Sequence, residues 1–159
     1  MNQPTDIIEL KLPPKPEYVG IVRLTLSGIA SRMGFCYEDI EDIKIAVSEA
    51  ITNAVQHAYK DGDSGDVMVK FRVFRNKLKI DVLDRGDSFD YHHIKQKKST
   101  YSNNEPVESM REGGLGLFLI ETLMDEVEIL RENGCTIVCM AKFLEREQVE
   151  RDAETISTS

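Results

Sequence analysis

The chain has 159 residues, enough for one domain that hides roughly 70% of the surface its unfolded form exposes and too few for a second independent core. Its formal net charge of -8 argues against a nucleic-acid backbone as partner, because such binding relies on clustered Lys and Arg, and suits protein partners instead. The 41% hydrophobic content is that of an ordinary globular chain, and its apolar runs fall far short of a membrane span.

Ile7 to Leu12 alternates apolar and polar residues and reads as a short strand ended by Pro13-Pro14. Pro16 and Glu17 open a helix whose apolar positions Val19, Val22, Leu26, Ile29, Ala30 and Met33 recur at helical spacing, with Gly34 placed to stop it. A second helix starts at Glu38 or Asp39 and runs to about Tyr59, with Ile40, Ile43, Val47, Ala50 and Ala54 as its buried stripe. Asp61 to Gly65 is a loop. Val67, Val69, Phe71 and Val73, a turn at Arg75-Asn76, then Leu78, Ile80 and Val82 describe a hairpin with one buried face.

From Gly86 to Glu112 the chain is polar and without period; so long a loop in a compact domain is functional or disordered. Its Lys95-Gln96-Lys97-Lys98 cluster is read as solvated. A third helix spans Leu115 to Met124, and Val127 to Leu130 with Thr136 to Phe143 form a second hairpin around Asn133-Gly134. The stretch from Glu145 is charged and expected to fray. This order implies an α+β fold, a two-layer α/β sandwich with a mixed, mostly antiparallel sheet and helices on one face. Residues 1–145 would form the single domain, with 146–159 a flexible tail.

Met1 to Leu12 lacks a basic segment followed by an apolar stretch, so no secretory signal is expected. The three cysteines cannot all pair, and Cys135 and Cys139 lack the partners of a zinc site. Reduced core thiols and a cytoplasmic location are the expectation.

Three segments carry chemistry. Glu49, Asn53 and His57 recur every four residues and share one face of the second helix, largely apart from its apolar stripe. A neutral amide oxygen suits Mg²⁺, and a neighbouring carboxylate can accept a hydroxyl proton; alone, such a face would simply meet water. Asp84 closes a hydrophobic strand before Gly86, where a carboxylate can accept a hydrogen bond from an exocyclic base amine or merely start a turn. Gly113, Gly114 and Gly116 open the third helix. Glycines there let the backbone approach phosphates, and the helix offers its N-terminal amides to anions. Arg111, just before them, can reach a terminal phosphate. No Walker loop occurs.

Together these segments resemble the Bergerat ATP-binding fold shared by gyrase B, Hsp90, histidine kinases and MutL. Its N-box resembles Glu49 to Asn53, its G1 box Asp84 to Gly86, and its G2 box Gly113 to Gly116, with residues 86–112 falling where that family carries its ATP lid. Ser88 stands where the common D-x-G-x-G pattern has its second glycine. The phrases VSEAITNAVQHAY and DRGDSFD, and the whole span from Ile7 to Phe143, are similar to the anti-sigma factor serine kinases of Gram-positive bacteria. The resemblance implies a homodimer that binds an alternative, sigma-B-type sigma factor and phosphorylates a serine of an anti-anti-sigma antagonist, using ATP and Mg²⁺. It further implies that Asn53 is a Mg²⁺ ligand and Glu49 the catalytic base. Asp84 would hold the adenine amine, Arg111 approach the γ-phosphate, and Arg23 on the first helix contact both protein partners. The competing expectation is a non-catalytic, nucleotide-gated binding module; a base beside the metal site favours the kinase. A detached histidine-kinase domain would need a phosphoacceptor histidine, and neither His57 nor the His92-His93 pair is placed for it.

Overall fold

The computed structural model describes residues 3–60, 65–84, 115–132 and 135–145. The expected lid, with Gly86, Ser88, Arg111, Gly113 and Gly114, lies outside the described residues, as do Asn133-Gly134, the tail and the side chain of His57.

Strand β1 (Asp6–Leu12) is followed by a single 3-10 turn (Pro16–Tyr18), helix α1 (Val19–Met33) and helix α2 (Tyr37–Lys60). The hairpin β2 (Val67–Val73) and β3 (Lys77–Asp84) comes next, then helix α3 (Leu115–Leu123) and the hairpin β4 (Glu126–Glu132) and β5 (Cys135–Phe143). Pro16 at the start of the turn fits a position whose N–H has no helical partner. Gly34 closes α1 with φ 100°, and its N–H donates to the carbonyls of Ala30 and Ser31. A left-handed residue is cheap there only for glycine.

The five strands form one sheet in the order β1-β2-β3-β5-β4. Every pairing is antiparallel, so among the described residues the sheet is not mixed but wholly antiparallel. Two pairings join distant segments: β1 against β2, and β3 against β5, with Ile80 opposite Met140 and Asp84 opposite Thr136. Alternation sends Val67, Val69 and Phe71 of β2, Leu78, Ile80 and Val82 of β3, and Met140 of β5 into the core.

The three helices among the described residues cover this one face, with Val22, Leu26 and Ala30 of α1 and Ile43, Ala46, Val47, Ala50, Ile51, Ala54 and Val55 of α2 buried against it. Burying each Val, Leu or Ile side chain contributes about 1.5–3 kcal/mol, and the core is continuous from α1 to β5. The buried face of α2 is wider than its sequence stripe, and Ile40 is only partly covered. Helices α1 and α3 both pack on α2, which makes α2 the central helix of the layer. No helix among the described residues is long and apolar enough to cross a membrane.

The opposite sheet face carries ion pairs, Arg72 with Asp81 at 2.9 Å and Lys70 with Glu9 at 3.8 Å. Cys139 lies opposite Asp81 on this face. Cys139 and Cys36 are unpaired and half-buried rather than core thiols.

Candidate nucleotide site

Helix α2 supplies one wall of the site and α3 the other. They meet at Gly116, the second residue of α3. A Cβ built there would stand 2.7 Å from Glu49 Oε1, 3.0 Å from Asn53 Nδ2 and 3.3 Å from Glu49 Cγ. Only a residue without a side chain lets the first turn of α3 seat so closely on these two groups. Glu49 and Asn53, one turn apart and both half-buried, therefore stand side by side against the N-terminal turn of α3.

Beside them opens a cleft. Ala50 and Ala54 of α2, Val82, Ile129 and Val138 of the sheet, and Leu117 and Ile120 of α3 make its walls. Asn53, Asp84 and Thr136 are its polar groups. An apolar slot with few convergent polar groups is the form that sites for flat organic ligands take.

Asp84 ends β3 on the inward side and is only 6% exposed. Its cross-strand partner Thr136 is 3% exposed, and the Thr136 hydroxyl finds no hydrogen-bond partner among the described residues. Leaving such a group unsatisfied costs about 1–3 kcal/mol, so the slot holds an acceptor carboxylate beside a hydroxyl that a ligand can engage. A purine edge with an exocyclic amine and ring nitrogens offers both complements. Sequence reasoning missed Thr136. The signal was present: Thr136, Val138 and Met140 share the inward parity of β5, and a hydroxyl there is out of place in a pure core.

The structure thus brings together Glu49, Asn53, Gly116 and the Asp84 strand end. It does not bring in Arg23, which is exposed on α1 and lines no part of the cleft. Around Arg23, Ile21 and Leu24 are also exposed, Leu24 to 76%.

Comparison with known proteins agrees with this fold. Residues 12–142 match the family model of the histidine kinase-like ATPase domain. The serine-protein kinase RsbW of Bacillus pumilus is 57% identical over 96% of this chain and 94% of its own length. The serine-protein kinase RsbW of Bacillus subtilis is 54% identical, with 96% and 94% covered. Among solved structures, the RsbU and RsbW domains of Rv1364c from Mycobacterium tuberculosis superpose with a TM-score of 0.61 at 24% identity, covering 88% of this chain and 33% of that one. The SiaB-SiaC complex from Pseudomonas aeruginosa gives a TM-score of 0.61 at 13% identity, covering 86% and 88%; both share the fold. The chain belongs to the histidine kinase-like ATPase family and, within it, to the RsbW serine-protein kinases.

Proposed function

We propose that this ATP-binding serine kinase sequesters an alternative sigma factor of the sigma-B, stress-response type. An anti-anti-sigma antagonist draws the kinase away, and phosphorylation of one antagonist serine returns it to the sigma factor. The observation that carries the reading is the pairing of Glu49 and Asn53 against Gly116, beside a cleft floored by Asp84 and Thr136.

In this reading Asp84 accepts the adenine amine and Thr136 bonds the ring edge, while the apolar walls exclude water from the base. Asn53 offers the hard oxygen that would hold Mg²⁺ alongside phosphates and water; the chemistry so supplied would be charge compensation during transfer. Glu49 accepts the proton of the antagonist serine as its Oγ bonds the γ-phosphorus and the bond from that phosphorus to the leaving ADP oxygen breaks. Gly86, Gly113, Gly114 and Arg111 keep the phosphate-facing roles that the family resemblance implies. The phosphoserine gains nearly two negative charges, which disfavours a surface on a kinase of net charge -8 and releases the product.

Arg23 sits away from the cleft, exposed beside Leu24, and serves as the contact for both partners, on a homodimer. A nucleotide-gated module without chemistry would have no use for a carboxylate held one turn from Asn53. The test incubates the chain with labelled Mg²⁺-ATP and candidate antagonists, then probes partner retention with Arg23→Glu. Phosphoserine on an antagonist, with the variant losing both partners but not ATP, is the expected result. No transfer by an ATP-binding wild type to any antagonist it retains would overturn the reading.

A further inference from the structure

The alternation of β5 places Lys142 on the inward side of the sheet, at the end away from Thr136. A cation in that position is unexpected, yet its side chain is only 12% exposed. Its Nζ donates to the Leu123 carbonyl at 2.7 Å, at the C-terminus of α3, and stands 4.0 Å from Asp42 Oδ2 on α2. A charged donor on the last carbonyls of a helix makes a strong hydrogen bond and complements the helix dipole.

Asp42, Glu49 and Asn53 are spaced by seven and four residues, so they form one stripe along α2. Along that stripe α3 runs antiparallel. Its first turn seats Gly116 on Glu49 and Asn53, and its last carbonyl is tied through Lys142 towards Asp42. Helix α3 has nine residues, about 13 Å at 1.5 Å per residue, and so short a helix passes an axial slip at one end directly to the other. The residues just beyond α3 bond to the same strand. Asp125 N–H donates to the Ala141 carbonyl at 3.0 Å, and Phe143 N–H donates to Asp125 Oδ2 at 2.7 Å.

We propose that Lys142 is a positioning residue for phosphoryl transfer: by joining the C-terminus of α3 to β5 and to Asp42 of α2, it sets the axial seat of Gly116 against Glu49 and Asn53. The inference rests on the function proposed above for those two residues. Lys142 touches no reacting atom. It acts through α3, so its removal alters the alignment of the base and the amide most directly, and the Leu117 and Ile120 wall of the adenine slot only as far as α3 slips.

The experiment compares Lys142→Met and Lys142→Arg with the wild type in two measurements. In steady-state phosphotransfer, Lys142→Met is expected to lower kcat about 10- to 100-fold, the range reached by a misplacement of up to about 1 Å. The KM for ATP stays within about threefold, and Lys142→Arg recovers most of the rate because it keeps the charged donor. Combined with Gly116→Ala the losses do not multiply, because both variants disturb one seat.

In hydrogen exchange, which needs no kinase activity, the amides of α3 exchange about tenfold faster in Lys142→Met while those of α1 are unchanged. A wild type that transfers no phosphate strikes the functional reading alone, and exchange then decides the role of Lys142. Unchanged α3 exchange in Lys142→Met overturns the proposal, as does an unchanged kcat beside an active wild type. If Lys142→Met does not fold, Lys142→Gln carries the same comparison, and a KM rise without a kcat loss contradicts positioning.

Discussion

Replacing Gly116 by Ala separates folding from alignment. Its Cβ would lie 2.7 Å from Glu49 Oε1 and 3.0 Å from Asn53 Nδ2, where ordinary contact begins at 3.4 Å. The oxygen must therefore retreat by about 0.7 Å (3.4 less 2.7) and the nitrogen by about 0.4 Å (3.4 less 3.0). Both atoms end flexible side chains, so the backbone need not move. Ala gains up to about 1 kcal/mol over Gly in helix propensity, which offsets an off-rotamer strain of about 0.5–1.5 kcal/mol. For a domain of this size 1 kcal/mol moves Tm by about 2–4 °C, so the melting temperature should shift by no more than that.

Activity is more sensitive. A misplacement near 1 Å can cost about 10² in rate, so the smaller displacements here should lower kcat roughly 10- to 30-fold. The assay is phosphotransfer from labelled Mg²⁺-ATP, with ATP affinity by calorimetry and a thermal melt on the same preparation. A folded variant with the wild-type rate would refute the idea that the seat on Glu49 and Asn53 matters. A collapse of ATP affinity would move the role of Gly116 from alignment to binding.

Two further outcomes are expected. Asp84→Asn should weaken ATP binding about 10- to 150-fold, since a hydrogen bond to a charged acceptor is worth about 1.5–3 kcal/mol; unchanged calorimetric affinity would remove Asp84 from base recognition. Burial, and next the charge of Asp81 and a hydrogen bond to it, push the Cys139 thiol up from 9.0 to about 12. A protein keeping only this thiol (Cys36→Ser, Cys135→Ser) should therefore alkylate far more slowly at pH 8 when folded than when unfolded, because the thiolate is the nucleophile. The folded state holds that proton from pH 9 to about 12 while the unfolded chain releases it. The stabilisation is thus complete below pH 9 and is lost as the pH rises to 12; equal alkylation rates in the two states would contradict this environment.

Much of the fold was legible because local periods dominate it. Val22, Leu26 and Ala30 repeat at helical spacing and are buried as that spacing requires. Gly34 stops α1 where the sequence placed its end, and does so in a left-handed conformation. The β2–β3 hairpin alternates over most of its length, broken where Asp81 is buried between Ile80 and Val82. What local pattern cannot carry is pairing between distant segments. The step that sets β5 beside β3, with β4 at the edge, is decided by packing of the whole sheet, and it is this step that puts Thr136 opposite Asp84.

The site divides in the same way. Glu49 and Asn53 could be placed on one face from their spacing alone. The glycines were read as a route for phosphate, yet Gly116 is seated against side chains of another helix, a tertiary contact with no signature in the surrounding residues. Lys142 was likewise legible only as an inward cation on an amphipathic strand; the carbonyl it meets belongs to α3. Strand β1 shows the limit of alternation, for at the sheet edge Ile7 and Ile8 both stay exposed and only Leu12 is buried.

The measurement closest to the chemistry is single-turnover phosphotransfer to the antagonist by Glu49→Gln. A neutral amide keeps the shape of the side chain but cannot accept the serine proton. The rate should fall by about 10²–10⁴ with ATP affinity preserved within a few fold. Transfer at the wild-type rate would contradict a base at Glu49, and loss of ATP binding would make that carboxylate an organiser of the site instead.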